Sequence, residues 1–197
     1  MRFPTALVLA LLCSSLLLLA LPTQAGYGTP PVTVSVEPII GYERVQKLVP
    51  QRHTRDRLTY GARARAGIPA ISAELEYTRA EDTEDFSNQP LTRVKDQDDR
   101  LKLGIVSSYS LSTLLSFQAR AGGQASRGHH EETVSGATSA TDRKLEYNPY
   151  AGGGLTARLG DTLDLSAGIT VVFHEFPDMS KNDYQTTLGF SVKFGAR

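Results

Sequence analysis

The 197-residue sequence holds four histidines, one cysteine and no tryptophan, so its stock of groups for acid–base, nucleophilic or metal chemistry is short. His174 stands beside Glu175, His53 lies between Arg52 and Arg55, and His129-His130-Glu131-Glu132 is a run in which imidazoles and carboxylates adjoin. Nucleophilic hydrolysis needs a nucleophile, a histidine and an orienting acid within hydrogen-bond reach, and no serine stands at a spacing that brings those three together. Adjacent histidines point apart on an extended chain, so His129 and His130 make a poor metal site. No catalytic set, metal site or cofactor is expected. Lys47, Arg52, Arg55 and Arg57 face one acid, Asp56, and guanidinium forks suit phosphate oxygens. Glu81, Asp82, Glu84, Asp85, Asp96, Asp98 and Asp99 flank a polar segment that reads as a hydrated loop or as oxygen donors for divalent cations. Across the chain 21 Lys+Arg balance 21 Asp+Glu with no long basic block, which argues against nucleic acid as a partner.

The elements that must position these groups begin after an address. Arg2 precedes an apolar run from Ala6 to Leu21, and Pro22 and Thr23-Gln24-Ala25 follow. That is the plan of a secretory signal cut after Ala25. It contains Cys13, so the mature chain has no thiol for a disulfide or a metal. Residues 26–31 read as a lead-in and 32–197 as one domain. No later segment is apolar for the 18 residues a transmembrane helix needs.

From Val32 onward hydrophobicity alternates with period two in eight stretches, the mark of strands with unlike faces. One face carries residues such as Val34, Val36, Leu101, Leu103, Leu163, Leu165, Phe190 and Val192. The other carries Gly, Ser and charges. Long polar connections (47–57, 80–99, 125–143, 174–183) exchange with short ones (67–70, 108–112, 158–162). Pro38 and Pro149 fall inside strands, where bulges are expected. Val106, Tyr150 and Val172 are apolar residues on the polar face, and the phase is lost over 109–114.

Three features put the polar face inside. Its glycines suit a cramped eight-strand lumen. Its charges mostly change sign from strand to strand and balance six against six, the fourth and fifth strands being alike: Glu37 and Glu43, then Arg63 and Arg65, Glu74 and Glu76, Arg100 and Lys102, Arg120, Glu146, Asp164, Lys193. Buried charges are costly unless paired, so a sealed lumen demands this matching, and an ion-pair lattice is expected. Tyr42, Tyr60, Tyr77, Tyr147, Phe173 and Tyr184 all lie on the apolar face at strand ends next to the long connections, the height of an interfacial aromatic girdle.

Over the whole mature chain this pattern resembles the small eight-stranded outer-membrane barrels, OmpX and the membrane domain of OmpA among them. The last stretch, Tyr184–Phe194, is similar to the terminal strand by which such barrels are recognised for insertion. The resemblance implies an all-β, antiparallel, up-and-down transmembrane barrel in the outer membrane of a Gram-negative cell. It also implies the barrel assembly machinery and outer-membrane lipids, including lipopolysaccharide, as partners of a monomer. Lys47, Arg52, Arg55 and Arg57 are the candidate lipopolysaccharide contacts. The expected role is structural or interactive: membrane integrity, adhesion or lipopolysaccharide contact. The alternatives are a narrow channel for small solutes and, less favoured, a lipid A-modifying enzyme, since deacylases and palmitoyltransferases occur among small barrels.

Overall fold

The computed structural model describes residues 32–47, 53–68, 70–86, 92–174 and 182–195. The expected signal segment and the expected lead-in lie outside them. Nine strands follow in chain order: β1 (Thr33–Lys47), β2 (His53–Ile68), β3 (Ile71–Phe86), β4 (Thr92–Ser110), β5 (Leu115–Val134), β6 (Ala137–Asp142), β7 (Glu146–Arg158), β8 (Leu163–Val172) and β9 (Asp183–Gly195). All pairings are antiparallel. β1 pairs with both β2 and β9, and β5 joins β4 to β7, so eight strands close a ring. β6 pairs with the outer end of β5, beyond the last β7 rung, and ends the strand order.

Alternation dictates which side chains meet. One continuous rung runs Glu37–Arg63–Glu76–Lys102–Gln124–Asn148 across β1, β2, β3, β4, β5 and β7. All point inward; on the neighbouring positions Leu103, Ile105, Ile169 and Leu188 point outward and are more than half exposed. A water-soluble barrel buries its apolar face. Here the apolar face is the exposed one, an arrangement that is stable only against acyl chains, so the barrel spans a bilayer. Val106, Tyr150 and Val172 are fully buried inside, where they fill space between charges.

The strands outrun the hydrophobic pattern. About ten residues suffice for a tilted strand to cross a bilayer, whereas β4 has 19 and β5 has 20. Segments 80–99 and 125–143, expected as loops, are therefore largely ladder: β3 pairs with β4 out to Phe86↔Thr92, and β5 with β6 out to Val134↔Ala137. Both faces are polar there, so apolar alternation cannot reveal the strand. At the opposite end the connections are short, Ile68 pairing with Ile71 across the first and residues 111–114 and 159–162 forming the others.

The expected bulges at Pro38 and Pro149 do not form. The β1–β9 register is the same on either side of Pro38, where two rungs are missing, and the β5–β7 register runs unbroken through Gly123↔Pro149. Each proline's missing N–H falls toward one neighbour only. Pro38 faces β9 across the missing rungs, and Pro149 sits one position beyond the last β7–β8 pair, where its carbonyl still accepts from the Phe173 amide at 2.9 Å. Losing one donor leaves the register intact when the opposite edge stays paired.

Ser135 (φ 48°) and Gly136 (φ 87°) form the two-residue turn of the β5–β6 hairpin, both in the left-handed region that this turn demands. Gly136→Val puts a β-branched side chain there, at about 1–2 kcal/mol. Amide exchange over Ala137–Asp142 is expected to accelerate while the unfolding transition of the ring stays unchanged; equal effects on both would mean that the hairpin and ring unfold as one unit.

Candidate functional site: the filled lumen and its outer rim

The lumen is occupied by two clusters of ion pairs and one separate pair. Arg63 meets Glu37 (3.2 Å), Glu74 (3.5 Å) and Glu76 (2.6 Å), and Arg65 meets Glu74 (3.0 Å) and Glu37 (3.8 Å). Lys102 Nζ lies 2.6 Å from Glu76, and Arg120 reaches Glu74 at 2.6 Å and Glu76 at 2.7 Å. Further out Glu43 joins Arg57 (2.8 Å) and Arg100 (2.7 Å), and Arg57 also holds Asp98 at 2.5 Å. Gln185 bridges the two halves: its amide donates to Glu43 at 2.8 Å, and its carbonyl accepts from Lys102. Near the short turns Asp164 and Lys193 make a separate pair at 2.5 Å. Lys102 and Glu76 are essentially without solvent exposure, so each charge depends on its partners for stability.

Neighbouring strands alone do not account for this lattice. β4 and β5 both carry inward cations, but the register sets Arg120 opposite Val106 and Lys102 opposite Gln124, and Arg120 reaches past β4 to the carboxylates of β3. Tyr150 crosses the lumen from β7: its ring centroid is 5.2 Å from the Arg120 guanidinium and 6.0 Å from Lys102 Nζ, and its hydroxyl donates to Glu74 at 3.4 Å. A methyl group on Gly104 would overlap that hydroxyl, and one on Gly189 would overlap the Glu37 carboxylate, which also accepts from Ser166. These glycines make room for the plug.

Several sequence-derived positions need correction. Glu146 is exposed at the rim and takes no part in the buried lattice. Arg57, expected at a lipopolysaccharide surface, is buried and bonded inside; Arg55 turns the same way and donates to Asp82 (3.2 Å) and to the Thr83 carbonyl (3.4 Å). Arg52 and the side chain of Lys47 lie outside the described residues. Asp82, Glu84, Asp96 and Asp98 face inward and are buried, so more than half of the acids of the expected loop belong to the outer-lumen wall. The phase held the clue: Arg57 continues the set Thr59, Gly61, Arg63, Arg65, and Asp98 continues Arg100, Lys102.

On the outside, Tyr42, Tyr60, Tyr147 and Tyr184 are exposed on the apolar face; Tyr77 donates to Asp99 at 2.7 Å, and Phe173 directly follows β8. Three histidines meet aspartates at the rim: His129–Asp142 and His130–Asp96, each 2.7 Å, and His174–Asp183, 2.8 Å. His129 and His130 point to opposite faces, and the side chain of His53 and the whole of Glu175 lie outside the described residues. The hydrogen bond that His174 donates to the Asp183 carboxylate raises the His174 pKa above its ordinary 6.5.

Removing Glu76 leaves Lys102 without an ion partner and takes one carboxylate each from Arg63 and Arg120, so Glu76→Ala is expected to cost about 3–5 kcal/mol, far more than Asp85→Ala, which breaks only the solvent-exposed Arg93 pair. Denaturant unfolding in detergent micelles measures both; equal costs would place Glu76 in water. The rim pair has its own pH dependence. Its folded-state pKa is raised, so its stabilisation is complete below about pH 6.5 and disappears as pH rises through the higher folded value. Amide exchange at Asp183 and Tyr184 is expected to show an added acceleration over that range, absent in His174→Gln.

No protein-family profile matches the sequence, and no curated protein does. Solved structures do. Ail, the attachment invasion locus protein of Yersinia pestis, crystallised with the heparin analogue sucrose octasulfate, superposes with a TM-score of 0.59 at 12% identity, covering 84% of this chain and 100% of that one. The outer membrane protein OprG of Pseudomonas aeruginosa gives 0.54 at 8% identity, covering 85% and 98%. With a closed ring of eight antiparallel strands, apolar outside and charged within, the chain has the fold of the small outer-membrane β-barrels.

Proposed function

We propose that this chain is an outer-membrane barrel with a closed lumen that acts through its surface and not by transport or catalysis. The observation that carries this reading is a contrast between two parts of the molecule. Lys102, Glu76 and Arg63 seal the interior at no more than 3% exposure, while β6 is exposed along its full length and has no second strand neighbour among the described residues. A free strand edge on a rigid ladder is a template for an extended segment of another protein, main-chain bonds supplying affinity. Ail, the similar barrel named for attachment and invasion, supports an adhesive reading. The partner is then a surface protein with an accessible extended segment, and the outer membrane is the site of action.

The Arg143 amide donates to the Gly128 carbonyl at 2.8 Å, so residues 129–142 can be excised and the gap closed with Asn-Gly. Bacteria displaying the shortened barrel are expected to lose adherence to host-cell layers while the purified protein keeps its heat-modifiable migration; undiminished adherence would defeat the proposal. Planar bilayers with the pure wild-type protein are expected to stay silent, and steady, well-resolved openings would favour the small-solute channel. Lipid A mass is expected to be unchanged on overexpression, and a shift abolished by His174→Ala would make the protein an enzyme.

A further inference from the structure

The outward face carries a groove. It has a volume of about 520 Å³, in the range of small-molecule sites, and is walled by Leu101 and Leu103 of β4 and by Tyr147 and Pro149 of β7. The register aligns Leu103–Gly123–Pro149 on one rung and Leu101–Ala125–Tyr147 on the next, so its floor is the run of small outward residues on β5.

Gly123 makes this groove more than an irregularity. Its neighbour Gly122 faces inward, where a Cβ would collide with the Leu103 carbonyl and the Gly104 backbone, and the crowded lumen explains it. A Cβ on Gly123 would meet nothing within 4 Å. Glycine weakens a strand interior, and no packing among the described residues requires it here. What the missing side chain leaves open is the groove.

The surroundings restrict the occupant. The groove lies at the girdle level marked by Tyr147, on the side of the long hairpins. The next outward rung is Asp99–Arg127. Asp99 is already compensated by a two-pronged bond from Arg79 (2.8 and 3.1 Å), whereas Arg127 is mostly exposed and holds Asp142 through one amine at 3.2 Å; the exposed Lys144 lies three residues before Tyr147 of the groove wall in the chain. An apolar trough under spare cationic donors complements a lipid with an anionic head.

We infer that the β4–β5–β7 groove is a binding site for an acyl chain of lipid A, its floor kept open by Gly123 and the lipid's phosphate met by Arg127 and Lys144. The assignment rests on the outer-membrane location proposed above, with the long hairpins on the outer side; that location is checked separately by heat-modifiable migration and fractionation. It differs from the arginine set around Arg55 and Arg57, which serves the lumen.

The test is native mass spectrometry of the folded barrel in mild detergent with added lipid A or, in parallel, phosphatidylglycerol. One lipid A is expected on the wild type, with loading about tenfold lower in Gly123→Leu, the scale of a steric block in an apolar pocket. Gly123→Ala is expected to give an intermediate loss and guards against a misfolded leucine variant. Arg127→Ala with Lys144→Ala is expected to weaken lipid A binding without affecting migration. Equal loading of Gly123→Leu and wild type would overturn the site, and equal loading by phosphatidylglycerol would overturn the glycolipid assignment. A second protein copy released by Gly123→Leu in place of lipid would overturn both.

Discussion

The structure depends on burying charge in a place that water cannot reach. Glu37, Glu43, Glu74, Glu76 and Asp98 share the interior with Arg57, Arg63, Arg65, Arg100, Lys102 and Arg120, and each is tolerable only because the others stand within ion-pair distance. Isolated ions in such a medium cost several kcal/mol each even after relaxation. The lattice therefore ties side-chain placement to strand register: a slip of one residue would turn these ions into the lipid and the leucines into the lumen. The glycines opposite Glu37 and Tyr150 belong to the same constraint, because the long side chains need facing walls without side chains.

From that requirement follows a division of labour around the ring. β1 to β5 supply almost all the ions, and β7 to β9 supply Gly, Ser and Thr at the surface the ions press against, with Tyr150 and Gln185 as the polar groups that reach back. The ion-bearing strands are also the long ones. Their extensions carry the exposed β6 edge beyond the membrane, and a rigid plugged cylinder beneath is a firm base for a projecting contact surface.

Much of this was legible in the chain because a strand's period is two whatever its environment. The alternation of Leu101, Leu103, Ile105 against Arg100, Lys102, Gly104 reveals both strand and faces, and the strand-by-strand change of charge sign reveals that those faces must meet. What escaped was where the apolar signal stops. Arg57, Asp96 and Asp98 lie on inner faces of strand extensions whose outer faces are also polar, so hydrophobicity is silent there and only an unbroken phase connects them to the lumen. Pro38 and Pro149 misled in the opposite sense, since a missing donor does not reveal which neighbour it faces.

By itself the sequence determined the class of fold, the approximate strands, the inward direction of charge and the approximate neutrality of the interior, all of which follow from local periodicity and nearest-neighbour pairing. The tertiary structure decided which ion meets which. Arg120 bypasses β4 for the carboxylates of β3, Gln185 closes the ring between Glu43 and Lys102, and Glu146 stands outside in water. Those choices depend on distances across a closed cylinder, and closure brings together residues whose separation along the chain carries no trace of their contact.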